Sequence, residues 1–289
     1  MTDRRPFSIV ILTLNEERNL PGCLASVAGC DDIVVLDSGS TDRTQEIARA
    51  AGARVLVNRF VNFAEQRNYA HVHAQFRHEW VFHLDADEQM TPALLDECAR
   101  VVADNPRLDG YYAAPHMMFH GVWLKRCTDY PAWQARFVRH ARFIFVQSGH
   151  GQREAAHMRL GRLRAGYTHD ISVESGADWE TKHRRYAEQE AKKILQETAS
   201  AGTQWRRIVS GPPLARRRAL KHLSYSFPAR PLLRFIYQYF LRGGFLDGKG
   251  AYRYCRLLAR YEGYATAALK RQRLALRSLG QGTGTHPRA

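Results

Sequence analysis

The 289-residue chain lacks several features that would settle a function at once. No apolar stretch of the signal-peptide kind opens it. Thr2-Asp3-Arg4-Arg5-Pro6 leads straight into Ser8-Ile9-Val10-Ile11-Leu12-Thr13-Leu14, so secretion is not expected and a cytoplasmic location is. The apolar run from Leu232 to Arg242 holds two arginines and is shorter than the roughly 20 residues a bilayer-spanning helix needs. The five cysteines (Cys23, Cys30, Cys98, Cys127, Cys255) are odd in number and never form a C-x-x-C pair, which argues against a disulfide framework or a zinc site. Neither G-x-G-x-x-G nor G-x-x-x-x-G-K-[ST] occurs, so the glycine-rich phosphate cradles of dinucleotide and ATP sites are not supported.

Acidic residues are scarce at one end only. From Gln204 to Ala289, Asp247 and Glu262 stand against 18 Lys and Arg, a net +16, whereas the whole chain carries +15. The excess is therefore C-terminal, and it predicts an anionic partner, either nucleic acid or the inner leaflet of a membrane. The tail contains no zinc-finger or RNP module, and Leu, Phe and Tyr interleave its charges (Phe235, Tyr237, Tyr239, Phe240), a pattern that suits a helix lying in a lipid interface better than nucleic acid. A buried helix of the catalytic domain is the competing reading.

Hydrophobic residues make up 45% of the chain and charged residues 25%, the composition of a folded protein. Residues 8–14, 32–36, 54–57 and 79–84 are apolar enough to be strands buried on both faces. They alternate with helical segments near 16–29, 44–51 and 63–74, so βαβ units and a mostly parallel sheet are expected. Helices are also expected over 91–102, capped by Thr91 with Pro92 at the first turn, over 177–199, and over 251–279. Residues 136–139 and 142–146 read as a strand pair joined by a turn, and 149–154 as a flexible loop.

His83-Leu84-Asp85-Ala86-Asp87-Glu88 falls where the fourth strand ends. In an open α/β sheet ligands bind at the carboxyl ends of the strands, and two carboxylates two residues apart can serve one hard divalent cation. A solvated acidic turn is the plain alternative.

Thr13-Leu14-Asn15-Glu16-Glu17, Asp37-Ser38-Gly39-Ser40-Thr41-Asp42, Gln66-Arg67-Asn68 and Asp85-Ala86-Asp87, in this order and spacing, resemble the family 2 glycosyltransferases of GT-A fold. More closely they resemble the branch of lipopolysaccharide core glucosyltransferases of the WaaE type. The resemblance implies a GT-A domain over 1–203, with a nucleotide-binding half (1–90) and an acceptor half (91–203), followed by a basic helical membrane-associating region over 204–289. It implies a metal-dependent inverting transfer from a nucleotide sugar, UDP-linked, to a hydroxyl of a lipopolysaccharide core or other lipid-linked glycan. By position, Thr13, Leu14, Asn15, Glu16, Asp37, Ser38, Arg67, Asp85 and Ala86 would bind the nucleotide sugar, and Asp87 with Asp85 would hold Mg²⁺ or Mn²⁺. The chain departs from the common family pattern at Ser38, where a second acid is usual, and at Leu14, where an aromatic residue often stacks on the base. Asp37 as a cap of the following helix, and Arg67 as an ordinary exposed helical arginine, are the alternatives.

Inverting transfer needs a carboxylate to take the proton of the attacking hydroxyl. Glu154, in Gly149-His150-Gly151-Gln152-Arg153-Glu154, is the candidate, with Asp129, Asp170 and Glu174 as rivals. Arg153, His150 and His169 are candidates to hold the diphosphate, and Trp123 and Trp133 to stack on sugars. The competing function is a nucleic-acid- or anionic-surface-binding protein acting through its basic tail; a sugar nucleotidyltransferase would need a glycine-rich basic loop after the first strand, which is absent. The enzyme is expected on the inner face of the cell membrane as a peripheral protein.

Overall fold

A computed structural model describes residues 5–148, 151–172, 177–200 and 229–281, with Arg216 and Phe227. The chain divides into two units, Met1–Met118 with Asp129–Asp170, and Phe119–Thr128 with Ile171–Ala289.

In the first unit β1 (Ser8–Thr13), α1 (Leu20–Ser26), β2 (Ile33–Asp37), α2 (Thr44–Ala50), β3 (Arg54–Val57), α3 (Phe63–His73) and β4 (Trp80–Asp85) alternate as the periodicity predicts. There follow β5 (Glu88–Gln89), α4 (Pro92–Asp104), β6 (Gly110–Ala113), β7 (Pro115–Phe119), then β8 (Val122–Trp123), which belongs to the second unit, and, back in the first, β9 (Gln134–Arg139), β10 (Phe145–Ser148), β11 (Gly151–Glu154), β12 (Leu160–Arg162) and β13 (Tyr167–Asp170). The main sheet runs β12-β6-β9-β4-β1-β2-β3. Strands β4, β1, β2 and β3 are parallel, and β9 enters antiparallel between β4 and β6. A small second sheet pairs β13 with β7 in parallel and with β5 antiparallel.

Every residue of β1 is buried because both faces of the sheet are covered, which is why its sequence does not alternate. Ile9, Ile11, Val35, Phe82 and Leu84 pack with Leu20, Leu24, Leu94 and Cys98 from α1 and α4. On the other face Val10, Leu12, Val34, Leu36 and Val81 meet Ala70 and Ala74 of α3. Each such aliphatic side chain contributes about 1.5–3 kcal/mol by leaving water. Thr91 caps α4 by accepting from Leu94 N, with Pro92 at the first turn as expected. The five thiols are free and buried.

Two expectations fail in the 134–154 region. Residues 136–139 and 142–146 do not pair; β9 is drawn into the main sheet, where all but its first residue are buried, and β10 pairs instead with β11. Residues 151–154 are accordingly a strand rather than a loop, because the hydrogen-bonding edge of β10 gives them a ladder partner.

The second unit contains α5 (Ala177–Ser200), α6 (Arg230–Ile236), a π-helical turn (Tyr237–Leu241), a 3₁₀ turn (Gly244–Asp247) and α7 (Lys249–Gln281). Helix α5, expected in the acceptor half, packs here against α7 through Ala191, Ile194, Ala268 and Leu269. Tyr261 and Tyr264 donate from α7 to Glu190 and Glu180 of α5 at 2.6 and 2.7 Å. The boundary expected at 203/204 lies outside the described residues. Among the described residues no helix is long and apolar enough to cross a membrane.

Behind β4 lies a buried imidazole pair. His71 Nδ1 bonds to the Phe143 carbonyl at 3.1 Å, so this nitrogen carries the proton, and His71 Nε2 then accepts from His83 Nε2 at 2.9 Å. The bond between the two rings needs His71 Nε2 unprotonated, and His83 Nδ1 is buried without a hydrogen-bond partner among the described residues, so burial favours both rings neutral. Burial, with His140 and Arg67 nearby, holds His71 down to about 4 and His83 well below the ordinary imidazole range. Unfolded imidazoles titrate near ~6.5, so the pair does not affect stability above that pH, and it destabilises the fold increasingly as pH falls from about 6.5 toward about 4, because the unfolded chain then binds protons that the buried rings do not. The thermal midpoint should already decline between pH ~6.5 and ~5, before most carboxylates titrate. NMR nitrogen shifts should show both imidazoles neutral at pH ~5.

Candidate active site

The site is built at the carboxyl end of β4, where four charged side chains meet. Asp85 Oδ1 accepts from Arg67 Nη2 at 2.8 Å, and its Oδ2 accepts from Arg136 Nη2 at 3.1 Å. The same Arg136 nitrogen donates to Glu88 Oε1 at 2.7 Å, while Glu88 Oε2 accepts from Asp85 N at 2.9 Å. Arg67, Arg136 and Glu88 are buried. Arg136 reaches this position because β9 bulges there: Tyr111 faces Phe137 and Tyr112 faces Ala135, leaving Arg136 as the extra residue, and a bulge of this kind re-aims a side chain. Burial opposes ionisation of Asp85, but the Arg136 and Arg67 guanidiniums outweigh it and hold the carboxyl at about 2. Burial pushes Glu88 the other way, to about 7, against the pull of Arg136.

Helix α3, capped by Asn62, ties this cluster to its surroundings through three consecutive side chains. Gln66 donates to Ser38 Oγ at 3.2 Å and to the Asn58 carbonyl at 3.1 Å, holding the loop after β2. Arg67 clamps Asp85. Asn68 bonds both backbone groups of Phe145, donating to its carbonyl at 2.8 Å and accepting from its N–H at 3.0 Å, as a neighbouring strand would. Arg67 is thus not an exposed helical arginine: burial lowers its pKa, and Asp85 is its compensating charge.

The loops after β1 and β2 are stitched together. Asn15, at φ 57°, donates its N–H to Ser40 Oγ and accepts from Thr41 N through its side chain, both at 2.8 Å. Glu16 N donates to Thr44 Oγ1 and Glu17 N to Asp42. Asp37 accepts from Thr13 Oγ1, Gly39 N, Ser40 N, the Ser40 hydroxyl and Gln45 Nε2. Burial opposes its charge, yet these bonds lower its pKa overall. Asp37 therefore braces its own loop rather than capping α2. The first helical N–H of α2 goes to the Asp42 carboxylate. Glu16 accepts from Asn19 at 2.8 Å, and burial raises its pKa. Leu14 is 51% exposed and Ala86 is buried beside Asp85.

Asp87 differs from Asp85. Its carboxylate is 40% exposed and meets one side chain, His169 Nε2 of β13, at 3.2 Å. Burial works against a charged His169, but the Asp87 hydrogen bond and charge outweigh it and raise the pKa. Among the described residues no three His, Cys, Asp or Glu form a ready-made metal cage. The donor set nevertheless fits Mg²⁺ or Mn²⁺ held jointly with a substrate, since Mg²⁺ is ordinarily bound by one or two carboxylates plus phosphate oxygens and water. Asp87 is the accessible ligand, and Asp85, with both oxygens on guanidiniums, is the less available one.

A cavity of about 540 Å³ opens between β9, β11 and their neighbours, a size typical of small-molecule sites. Glu154, Arg153, Tyr112, Trp133, Phe145 and Arg162 are among its lining. Glu154 Oε1 accepts from Tyr112 Oη at 2.6 Å; burial, then this bond, pushes the Tyr112 phenol up to about 12, so it stays a donor at neutral pH. Arg162 lies over the Trp133 ring at 5.2 Å. Phe145 belongs both to this lining and to the underside of Arg67, at 5.9 Å, which places the cavity beside the ion cluster. Of the remaining candidates, Asp129 and Asp170 are exposed, and His150 and Glu174 lie outside the described residues. Trp123 belongs to the second unit, with Lys125 over its ring at 5.2 Å.

Arg136, Glu88, Asn68 and Tyr112 have no role in the sequence reading. Arg136 did carry a signal: an arginine alternating with Phe and Val in a strand that buries both faces must find an anion.

The family model described as Glycosyl transferase family 2 matches residues 8–165. The lipopolysaccharide core biosynthesis glycosyltransferase LpsC of Rhizobium meliloti is 32% identical over 128 residues, 42% of this chain and 47% of that protein. An uncharacterized glycosyltransferase of Rickettsia typhi is 33% identical over 110 residues, 38% of this chain and 37% of that protein. The chain thus matches less than half the length of these curated relatives. Among solved structures, S. aureus TarS 1-349 in complex with UDP-GlcNAc is similar at 15% identity and a TM-score of 0.43, covering 88% of this chain and 91% of that one. Four ordered motifs, the mostly parallel sheet that presents them, and a family match over more than half of the sequence lead to one assignment: the chain belongs to glycosyl transferase family 2.

Proposed function

We propose that the protein is a metal-dependent inverting glycosyltransferase that moves a sugar from a UDP-linked donor to a hydroxyl of a membrane-bound glycan, of the lipopolysaccharide core or another lipid-linked kind. The observation that carries this reading is the division of labour in Asp85-Ala86-Asp87: Asp85 is immobilised by two guanidiniums while Asp87 stands exposed beside His169. Family membership supports a nucleotide-sugar donor, and the acceptor class is supported by the name of the Rhizobium relative.

In this reading Asp87, with Asp85 and His169 around it, would hold Mg²⁺ or Mn²⁺, which supplies positive charge opposite a departing diphosphate. The loops after β1 and β2 receive the nucleoside, Leu14 offering an exposed apolar surface at the base position. The acceptor hydroxyl lies in the cavity at Glu154. Its oxygen forms the new bond to the anomeric carbon from the face opposite the leaving group, the bond from that carbon to the phosphate oxygen breaks, and the nucleoside diphosphate departs. Glu154 takes the hydroxyl proton, and the Tyr112 hydroxyl holds its other face in position. Trp133 presents a ring on which a sugar can stack.

Two substitutions test the assignment separately. Asp87→Asn keeps shape and removes charge, so calorimetry should show loss of Mn²⁺-dependent nucleoside diphosphate binding with an unchanged fold; undiminished affinity would remove Asp87 from the metal site. Glu154→Gln should lower turnover by roughly a hundredfold or more while donor affinity barely moves. Tyr112→Phe should cost less and shift the basic limb of the pH–rate profile little. Normal turnover in Glu154→Gln would move the base to one of its rivals.

A further inference from the structure

We propose that the face of the second unit formed by α6, the π turn, the 3₁₀ turn and the first half of α7 docks on an anionic lipid bilayer. This deepens the function above, resting on its membrane-borne acceptor, and assigns the surface by which the enzyme would reach it.

The face is apolar where a soluble surface would be polar. Leu232, Leu233, Phe240, Leu241, Phe245 and Leu246 are each at least half exposed, Leu241 reaching 75%. They surround an aromatic cluster that fixes their positions: Phe235 stacks on Tyr239 at 5.3 Å, and Tyr239 meets Phe240 at 5.1 Å and Tyr252 at 5.7 Å. Of the four aromatics expected to lie in lipid, Phe235 and Tyr239 instead turn toward the core of Phe119, Leu124, Cys127 and Ala251, leaving Tyr237 and Phe240 outward. The partial burial of the first two ties the outer apolar rim to this core.

Charge selects the kind of surface. Arg253, Arg256 and Arg260, one to two turns apart on α7, are exposed along a groove of about 670 Å³ whose lining includes the buried Phe119 and the partly buried Phe235. The charge of Glu180 on α5 reaches Arg260, although that carboxylate already accepts from Tyr264 and Arg184; the two acids of the tail itself, Asp247 and Glu262, are engaged inside the unit. Asp247 accepts from the N–H groups of Arg126 and Cys127, and Glu262 binds Arg230 at 2.6 Å. A basic groove with an apolar floor and a protruding Leu/Phe rim matches a phospholipid interface, in which phosphate lies a few ångströms above hydrocarbon. Nucleic acid offers the phosphate but no partner for the exposed leucines.

The test is co-sedimentation of the full chain with vesicles of phosphatidylcholine, with and without phosphatidylglycerol, at low and high salt, beside a DNA duplex. Wild type should partition onto the anionic vesicles and release with salt. Arg253→Gln/Arg256→Gln/Arg260→Gln should weaken partitioning on the order of a hundredfold, each arginine near the surface counting for about a factor of five. Phe240→Ser/Leu241→Ser/Leu246→Ser should weaken it at least tenfold with little change in salt dependence, while both variants keep wild-type thermal midpoints and lipid-free hydrolysis of UDP-sugars. Vesicle binding by a wild type that hydrolyses no UDP-sugar would leave docking standing and overturn the transferase reading. Equal partitioning of wild type and variants, indifference to phosphatidylglycerol, or binding to DNA but not to vesicles would overturn docking.

Discussion

The structure of the first unit turns on one constraint: a carboxylate that ends β4 is held from both sides by buried guanidiniums. Arg67 arrives from α3 and Arg136 from the bulge of β9, so the pairing is met only if the helix crosses the sheet behind β4 and β9 inserts antiparallel beside it. Removing one partner from such a buried pair costs about 3–5 kcal/mol, because the remaining charge is left in a poorly polarisable interior. The cluster therefore fixes topology and site together. With Asp85 immobilised, the backbone that carries Asp87 two residues later has little freedom, and the accessible carboxylate is presented at a defined place without a cage of its own.

The same economy governs the loops. Thr13, Asn15, Asp37 and Ser40 have the chemistry of ligand-binding residues, yet their side chains are committed within the two loops: Thr13 and Ser40 donate to Asp37, and the Asn15 side chain accepts from Thr41 N. They hold two chain segments in register, and the side chain of Leu14 is left exposed between them, so that a nucleoside bound as proposed would meet backbone and Leu14. A loop braced in this way loses less entropy on binding than one that must order around its ligand.

Legibility in the sequence followed the range of the forces involved. The βαβ half was readable because continuous apolar runs and helix caps are local signals, and β1 to β4 with the Thr91 cap stand as expected. The second half was not, because β9 is apolar enough to read as half of a hairpin, and only the gap between β4 and β6 tells it to pair elsewhere. Asp85 and Asp87 were visible as a pair, with Asp87 expected as the direct metal ligand, but the clamp on Asp85 was not, since it depends on arginines 18 and 51 residues away. Helix α5 was assigned by its position in the chain, whereas its alanine face against α7 decides where it packs.

The charge distribution gives the two units different sensitivities to solvent. The ion cluster of the first unit is buried, and salt at physiological strength, with a Debye length of about 8 Å, screens buried pairs little. Arg253, Arg256 and Arg260 of α7 are exposed and would act on a partner through water, where the same salt removes most of the attraction between charges more than that length apart. Raising ionic strength should thus weaken any engagement of the basic face while leaving the geometry around Asp85 intact. In an enzyme whose acceptor is held at a lipid surface, salt then acts on access to the acceptor rather than on the chemical step. Soluble acceptor fragments and membrane-held acceptor separate the two effects, because only the second passes through the docking face.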